Sequence, residues 1–117
     1  MRLKTENISD IMIVRILESA VDAGNALEFK AALLPFIENS RKVAIDMSKV
    51  KFMDSSGVGA MLSCLRTTHN QKGELKLFSV TPHIHQLFKL VRLDTLIEIH
   101  DSQKSAINSF EPASDEK

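Results

Sequence analysis

Residues 43 to 73, VAIDMSKVKFMDSSGVGAMLSCLRTTHNQKG, read as strand, tight turn, amphipathic helix and helix stop. This stretch restricts the chain to folds in which a buried strand feeds a helix. Val43, Ala44, Ile45 and Met47 form a short apolar run whose length and β-branched content favour a buried strand, with Asp46 its one charge. Phe52 and Met53 add a second apolar touch before Asp54-Ser55-Ser56-Gly57. Asp54 and Ser55 are both good helix N-caps, and beyond them Val58, Met61, Leu62 and Leu65 recur at the spacing that gives a helix one apolar face. The helix is expected to stop at Lys72, where a cation suits the dipole, with Gly73 taking the left-handed position. Gly57 and Gly59 lie in the first turns, where they cost helix propensity but leave backbone uncovered for the close approach of another surface. A serine hydroxyl is therefore expected on a bare helix start.

The flanks repeat the alternation. Leu3, Thr5 and Asn7 alternate with Arg2, Lys4 and Glu6, which predicts a short edge strand with one wet face, and Ile11 to Leu17, broken only by Arg15, predicts a strand covered on both faces. Asp22 to Asn25 reads as a turn, with Asn25 as cap and Glu28 at the reach-back spacing. Ala26, Phe29, Leu33, Phe36 and Ile37 then share a helix face, and Pro35 is expected to kink it. Glu74 to Val80 reads as a buried strand, with Leu75 and Leu77 on one side and Phe78 and Val80 on the other. Thr81-Pro82 opens a helix with the stripe Ile84, Leu87, Phe88 and Val91, the threonine as its capping hydroxyl. Leu93 to Leu96 turns the chain into a short strand at Ile97 and Ile99, and Ala106, Ile107 and Phe110 give a last short helix. The whole predicts one α/β domain over residues 1–110, with a mostly parallel central sheet, right-handed crossovers and helices on at least one face, and a polar, disordered tail at 111–117.

Several function classes recede on chemistry. Fifteen basic residues balance 15 acidic ones, and Trp and Tyr are absent, so neither a basic field nor stacking platforms invite nucleic acid. The single cysteine, Cys64, forms no internal disulfide and reads as a packed side chain; no long apolar run or signal pattern is present, which points to a cytoplasmic protein. His83 and His85, two apart on a helix, point to different sides and read as solvated rather than metal-binding. Asp46 lacks the acidic pair and late lysine of a receiver-type acceptor and reads as a strand-end hydrogen-bonding carboxylate. With no phosphate loop, nucleophile elbow or His-Glu-x-x-His helix, neither catalytic machinery nor a cofactor is expected.

The segment FMDSSGVGAML resembles the phosphoacceptor turn of bacterial anti-sigma factor antagonists, members of the STAS domain family. The resemblance extends more weakly from about Met12 to the last helix and includes SVTPHIHQLFKLVRLDTLIEI. It implies the same fold, and it places the family's phosphorylated serine on Ser55, with Ser56 a supporting hydroxyl. The family's strand-end aspartate matches Asp22, although the glycine usually ahead of it has no counterpart in Glu18-Ser19-Ala20-Val21.

What the resemblance implies is a non-enzymatic switch. The protein would bind a serine kinase or anti-sigma factor while Ser55 is free and be released when that partner phosphorylates it, with a PP2C-type phosphatase resetting the state. A phosphate on the first turn is expected to gain from free backbone N–H groups and the helix dipole, and to add like charge beside Asp54. The implied contact surface is Asp22, Asp54, Ser55, Ser56, Gly57, Val58 and Met61, of which Val58 and Met61 also fit the core. The alternative reading is a constitutive STAS subunit of a transporter or lipid-trafficking complex. A small nucleotide-binding domain has no visible phosphate cradle to support it.

Overall fold

The computed structural model describes residues 1–110, so the tail expected at 111–117 lies outside the described residues. In chain order the elements are β1 (Leu3–Ile8), β2 (Ile11–Ile16), β3 (Ala20–Val21), α1 (Ala26–Asn39), β4 (Lys42–Asp46), β5 (Phe52–Met53), α2 (Ser55–Asn70), β6 (Glu74–Phe78), α3 (Pro82–Leu90), a 3-10 turn at Leu93–Thr95, β7 (Glu98–His100) and α4 (Gln103–Ser109). Five strands form the central sheet in the order β1-β2-β4-β6-β7. Only the β1–β2 pair in it is antiparallel. Each crossover through α1, α2 and α3 moves one strand along in the same direction, and connections of one hand then place all three helices on one face.

Alternation along the strands divides the core in two. Val14, Ile16, Val43, Ile45, Leu75 and Leu77 face α1, α2 and α3 and pack with Phe29, Leu33, Met61, Leu65, Ile84 and Phe88. Ile11, Ile13, Ala44 and Phe78 point the other way, under Ala106 and Phe110. The second face also holds charge. Arg15 reaches Asp46 at 3.0 Å, Glu6 at 2.9 Å and Gln103 at 2.8 Å, so its guanidinium ties two strands to the first turn of α4. Lys76, 5 % exposed, donates to the carbonyl and hydroxyl of Ser109 at 2.9 Å and lies 4.5 Å from the Phe110 ring centre. A seven-residue helix is thus fastened at both ends.

Several local expectations need correction. Lys72, not Gly73, holds the left-handed conformation after α2, at φ 61. Glycine at 73 answers a different need, since a Cβ there would lie 2.9 Å from the Arg41 carbonyl. Asn25 precedes α1 without a side-chain capping bond: its amide oxygen accepts from the Asp22 N–H and its amide nitrogen donates to the Ala20 carbonyl, each at 2.9 Å. The Thr81 hydroxyl likewise donates to the Val50 carbonyl at 3.3 Å instead of capping α3. Helix α1, by contrast, continues through Pro35 as its apolar face predicts. Among the described residues no helix is long and apolar enough to cross a membrane.

Candidate functional site

The site is built where a two-stranded parallel ribbon meets the start of α2. In that ribbon Ala20 pairs with Phe52 and Val21 with Met53, and the Ser19 carbonyl accepts from Lys51 N–H at 2.7 Å and Phe52 N–H at 3.2 Å. An aspartate directly follows each strand, Asp22 after β3 and Asp54 after β5, so the ribbon delivers two carboxylate-bearing turns to one place.

Asp54 is the cap of α2, with extended backbone at φ −115 and ψ −171, and Ser55 is the first helical residue. One Asp54 carboxylate oxygen accepts from Ser56 N–H at 2.9 Å and Gly57 N–H at 3.1 Å. The other accepts from Ala23 N–H at 3.0 Å, in the turn after Asp22. These donors, Gly57 foremost, hold the Asp54 carboxyl below its ordinary value, against the opposing effect of partial burial. One ionised side chain therefore both starts the helix and clamps the neighbouring turn. Asp22 keeps that turn closed from inside: its carboxylate accepts from Gly24 N–H at 2.9 Å, and its carbonyl accepts from Asn25 and Ala26 N–H at 3.0 and 2.7 Å.

Gly57 is buried, and its role differs from the one expected. A Cβ built there would stand 2.2 Å from the Val21 carbonyl oxygen, so the surface that approaches the bare helix backbone is β3 of the same chain. Gly59 is the open glycine; it is exposed, and nothing lies within 4 Å of the added carbon. Val58 and Met61, 7 % and 0 % exposed, face the core beneath α1 and hold α2 in place without offering contact surface. The expected free N–H groups also need correction, because Ser56 and Gly57 already donate to Asp54.

What remains exposed is Ser55 and Ser56, with half-buried Asp22 and Asp54 beside them. Among the described residues the Ser55 hydroxyl has no hydrogen-bond partner. Beyond Ser56, a groove of about 460 Å³ runs between α1 and α2, lined by Ala23, Ala26, Leu27, Lys30, Gly59, Ala60, Ser63 and Arg66. Leu27 stands 84 % exposed at its edge, an apolar side chain that sequence periodicity passed over because it falls off the core stripe of α1.

The other candidates sit elsewhere. His83 is exposed on the first turn of α3, and no group of three or more metal-ligating side chains occurs among the described residues. Cys64 is fully buried and its thiol is pushed up to about 11 by desolvation. Asp46 accepts from Arg15 and from Ser48 N–H at the end of β4.

Known proteins resemble this chain in sequence and in fold. The chain is 25 % identical over 114 residues to BtrV of Bordetella bronchiseptica, named as an anti-sigma factor antagonist, with 97 % of each chain covered. It is 30 % identical over 80 residues to the anti-sigma-B factor antagonist of Listeria monocytogenes, covering 68 % of this chain and 70 % of that one. The fold matches the anti-sigma factor antagonist SpoIIAA in its unphosphorylated form with a TM-score of 0.72 at 20 % identity, over 92 % and 94 % of the two chains. The phosphorylated form of the Bacillus SpoIIAA matches with a TM-score of 0.68, also at 20 % identity, over 92 % and 97 %. The STAS domain profile matches residues 2–106, nearly the whole described chain, and the protein belongs to the STAS domain family.

Proposed function

We propose that this protein is an anti-sigma factor antagonist that works as a phosphorylation-controlled binding switch. With Ser55 unmodified it binds a partner serine kinase or anti-sigma factor; phosphorylation of Ser55 by that partner releases it, and a PP2C-type phosphatase restores the binding form. The reading rests on one observation: an exposed, unpartnered Ser55 hydroxyl directly follows an ionised Asp54 that already occupies the Ser56 and Gly57 N–H groups. That its relative SpoIIAA occurs in phosphorylated and unphosphorylated forms supports it.

The physical consequence follows from charge. A phosphate adds a charge of about −1.5 to −2. At this helix start it would find the Ser56 and Gly57 N–H donors engaged, leaving its charge beside Asp54 at the surface. A partner seated on Ser55, Ser56 and the groove beyond would have to desolvate that charge, at a cost that favours release. The contact surface of this reading is Asp22, Asp54, Ser55 and Ser56 with Leu27, Lys30 and Gly59, and it replaces buried Gly57, Val58 and Met61.

Incubation with the partner kinase and ATP should add one phosphate, located on Ser55 by peptide mass spectrometry and absent from Ser55→Ala. Phosphate on Ser56 alone would overturn the assignment. The absence of any transfer, with binding intact, would favour a constitutive STAS subunit.

A further inference from the structure

The opposite end of the β3–β5 ribbon carries a second feature. Leu17 N–H donates to the Arg2 carbonyl at 3.0 Å, which sets Arg2 beside the carboxyl end of β2. The loop after β4 brings Ser48, Lys49 and Lys51 to the same end, next to Ser19. Together Arg2, Leu17, Ser19, Ser48, Lys49 and Lys51 line a pocket of about 360 Å³ that contains three cations, two hydroxyls and no carboxylate. In a chain whose charges sum to zero, this concentration is local.

The groups are available to a ligand. Arg2 is oriented by its Nε to Glu18 at 3.4 Å and its Nη2 to the Leu17 carbonyl at 3.1 Å, which leaves Nη1 without a protein partner. Two carboxylates border the pocket: Glu18 accepts from the Arg2 backbone N–H at 3.0 Å and from Arg2 Nε, contacts that hold it below its ordinary value, and Asp46 accepts from Ser48 N–H at 2.9 Å while paired with Arg15. Lys49 and Lys51 make no ion pair among the described residues, and the Ser19 and Ser48 hydroxyls have no hydrogen-bond partner there.

We infer that this pocket binds a small phosphate-bearing anion. A guanidinium edge, two exposed ammonium groups and two hydroxyl donors converging from different loops match a group with several charged oxygens. A ligand held between Ser19 and Lys51 touches one residue before each strand of the ribbon, whose far end carries Asp22 and Asp54. The inference stands independently of Ser55 phosphorylation.

The test is a titration of the full chain, followed by NMR, with inorganic pyrophosphate, alongside co-sedimentation with phosphatidylcholine vesicles with and without phosphatidic acid. Pyrophosphate should bind with a Kd of about 1 mM or tighter, shift the amides of Ser19, Ser48, Lys49 and Lys51 first, and weaken with added salt. Selective sedimentation with phosphatidic acid would instead assign the phosphate to a lipid headgroup. In either arm Lys49→Glu with Lys51→Glu should weaken binding about tenfold or more, and Lys49→Gln with Lys51→Gln less. Both lysines are exposed, and circular dichroism should show the fold retained. Lys89→Glu with Lys104→Glu makes the same change in net charge on other exposed sites and should leave binding intact. Absence of binding in both arms overturns the inference, as does binding unaffected by the Lys49 and Lys51 reversals or equally lost in the control. Loss of partner binding without any phosphate binding would identify a protein-docking surface and overturn it as well.

Discussion

Replacing Gly57 by alanine sets two effects of opposite sign against each other, and the structure decides between them. Within a helix the change ordinarily stabilises by about 0.5–1 kcal/mol, because glycine loses more backbone freedom on folding. Here the new methyl would stand 2.2 Å from the Val21 carbonyl oxygen and 3.2 Å from the Met53 methyl. The methionine can move, but the carbonyl belongs to β3, which is paired with β5. Either α2 or the ribbon must shift, and overpacking of that kind costs about 1–3 kcal/mol or more. A net loss near 2 kcal/mol is expected, a fall in Tm of about 8 °C for a domain of this size. Gly59→Ala supplies the contrast: its methyl meets nothing within 4 Å, so only the helix gain remains and Tm should rise by about 2–4 °C. Thermal and urea unfolding of both variants, monitored by circular dichroism, checks this. Equal stability of Gly57→Ala and the parent chain, or both variants moving in the same direction, would refute the claim that β3 presses on the start of α2.

Asp54→Asn should flatten the acid limb of the stability curve. The lowered Asp54 carboxyl contributes stability that is present above its ordinary 3.8 and lost as pH falls through the lower folded value, so the difference between parent and variant in urea unfolding should shrink from about pH 7 to about pH 2. A difference that does not change with pH would mean the charge has no part in the clamp. Cys64, fully buried with its thiol pushed up to about 11, should resist a thiol reagent at about pH 8 in the folded protein and react on unfolding in urea.

Much of this molecule was legible in the sequence because periodicity and burial are coupled. The run Val43 to Met47, the stripe of α2 and the alternation in Glu74 to Val80 each carry enough apolar residues to declare their faces, and a mostly parallel sheet follows from their order. The ribbon was not legible: β3 is two residues long, and two residues carry no period. Missing it had consequences at the site. Without Val21 in place, Gly57 reads as bare backbone offered to a partner, when it answers a close approach within the chain. The side-chain bonds of Asn25 and Thr81 misled for a related reason, since a residue with capping chemistry takes whichever backbone group the tertiary fold puts within reach, here Ala20 and Val50. Ser55 could be singled out because Asp54-Ser55-Ser56-Gly57 is local, whereas Leu27, Lys30 and Arg66 meet across a groove that only the packing of α1 on α2 creates.

Ser55→Ala is expected to be mild for the fold, within about 0.5 kcal/mol, because Asp54 supplies the helix cap and the serine side chain is exposed. That separates stability from binding and permits the decisive measurement: calorimetric affinity for the partner kinase or anti-sigma factor across the parent chain, Ser55→Ala, Ser55→Asp and the protein phosphorylated on Ser55. A charge-operated switch predicts tight binding for the first two, weaker binding for the aspartate and the weakest for the phosphoprotein. Equal affinity for all four would contradict it.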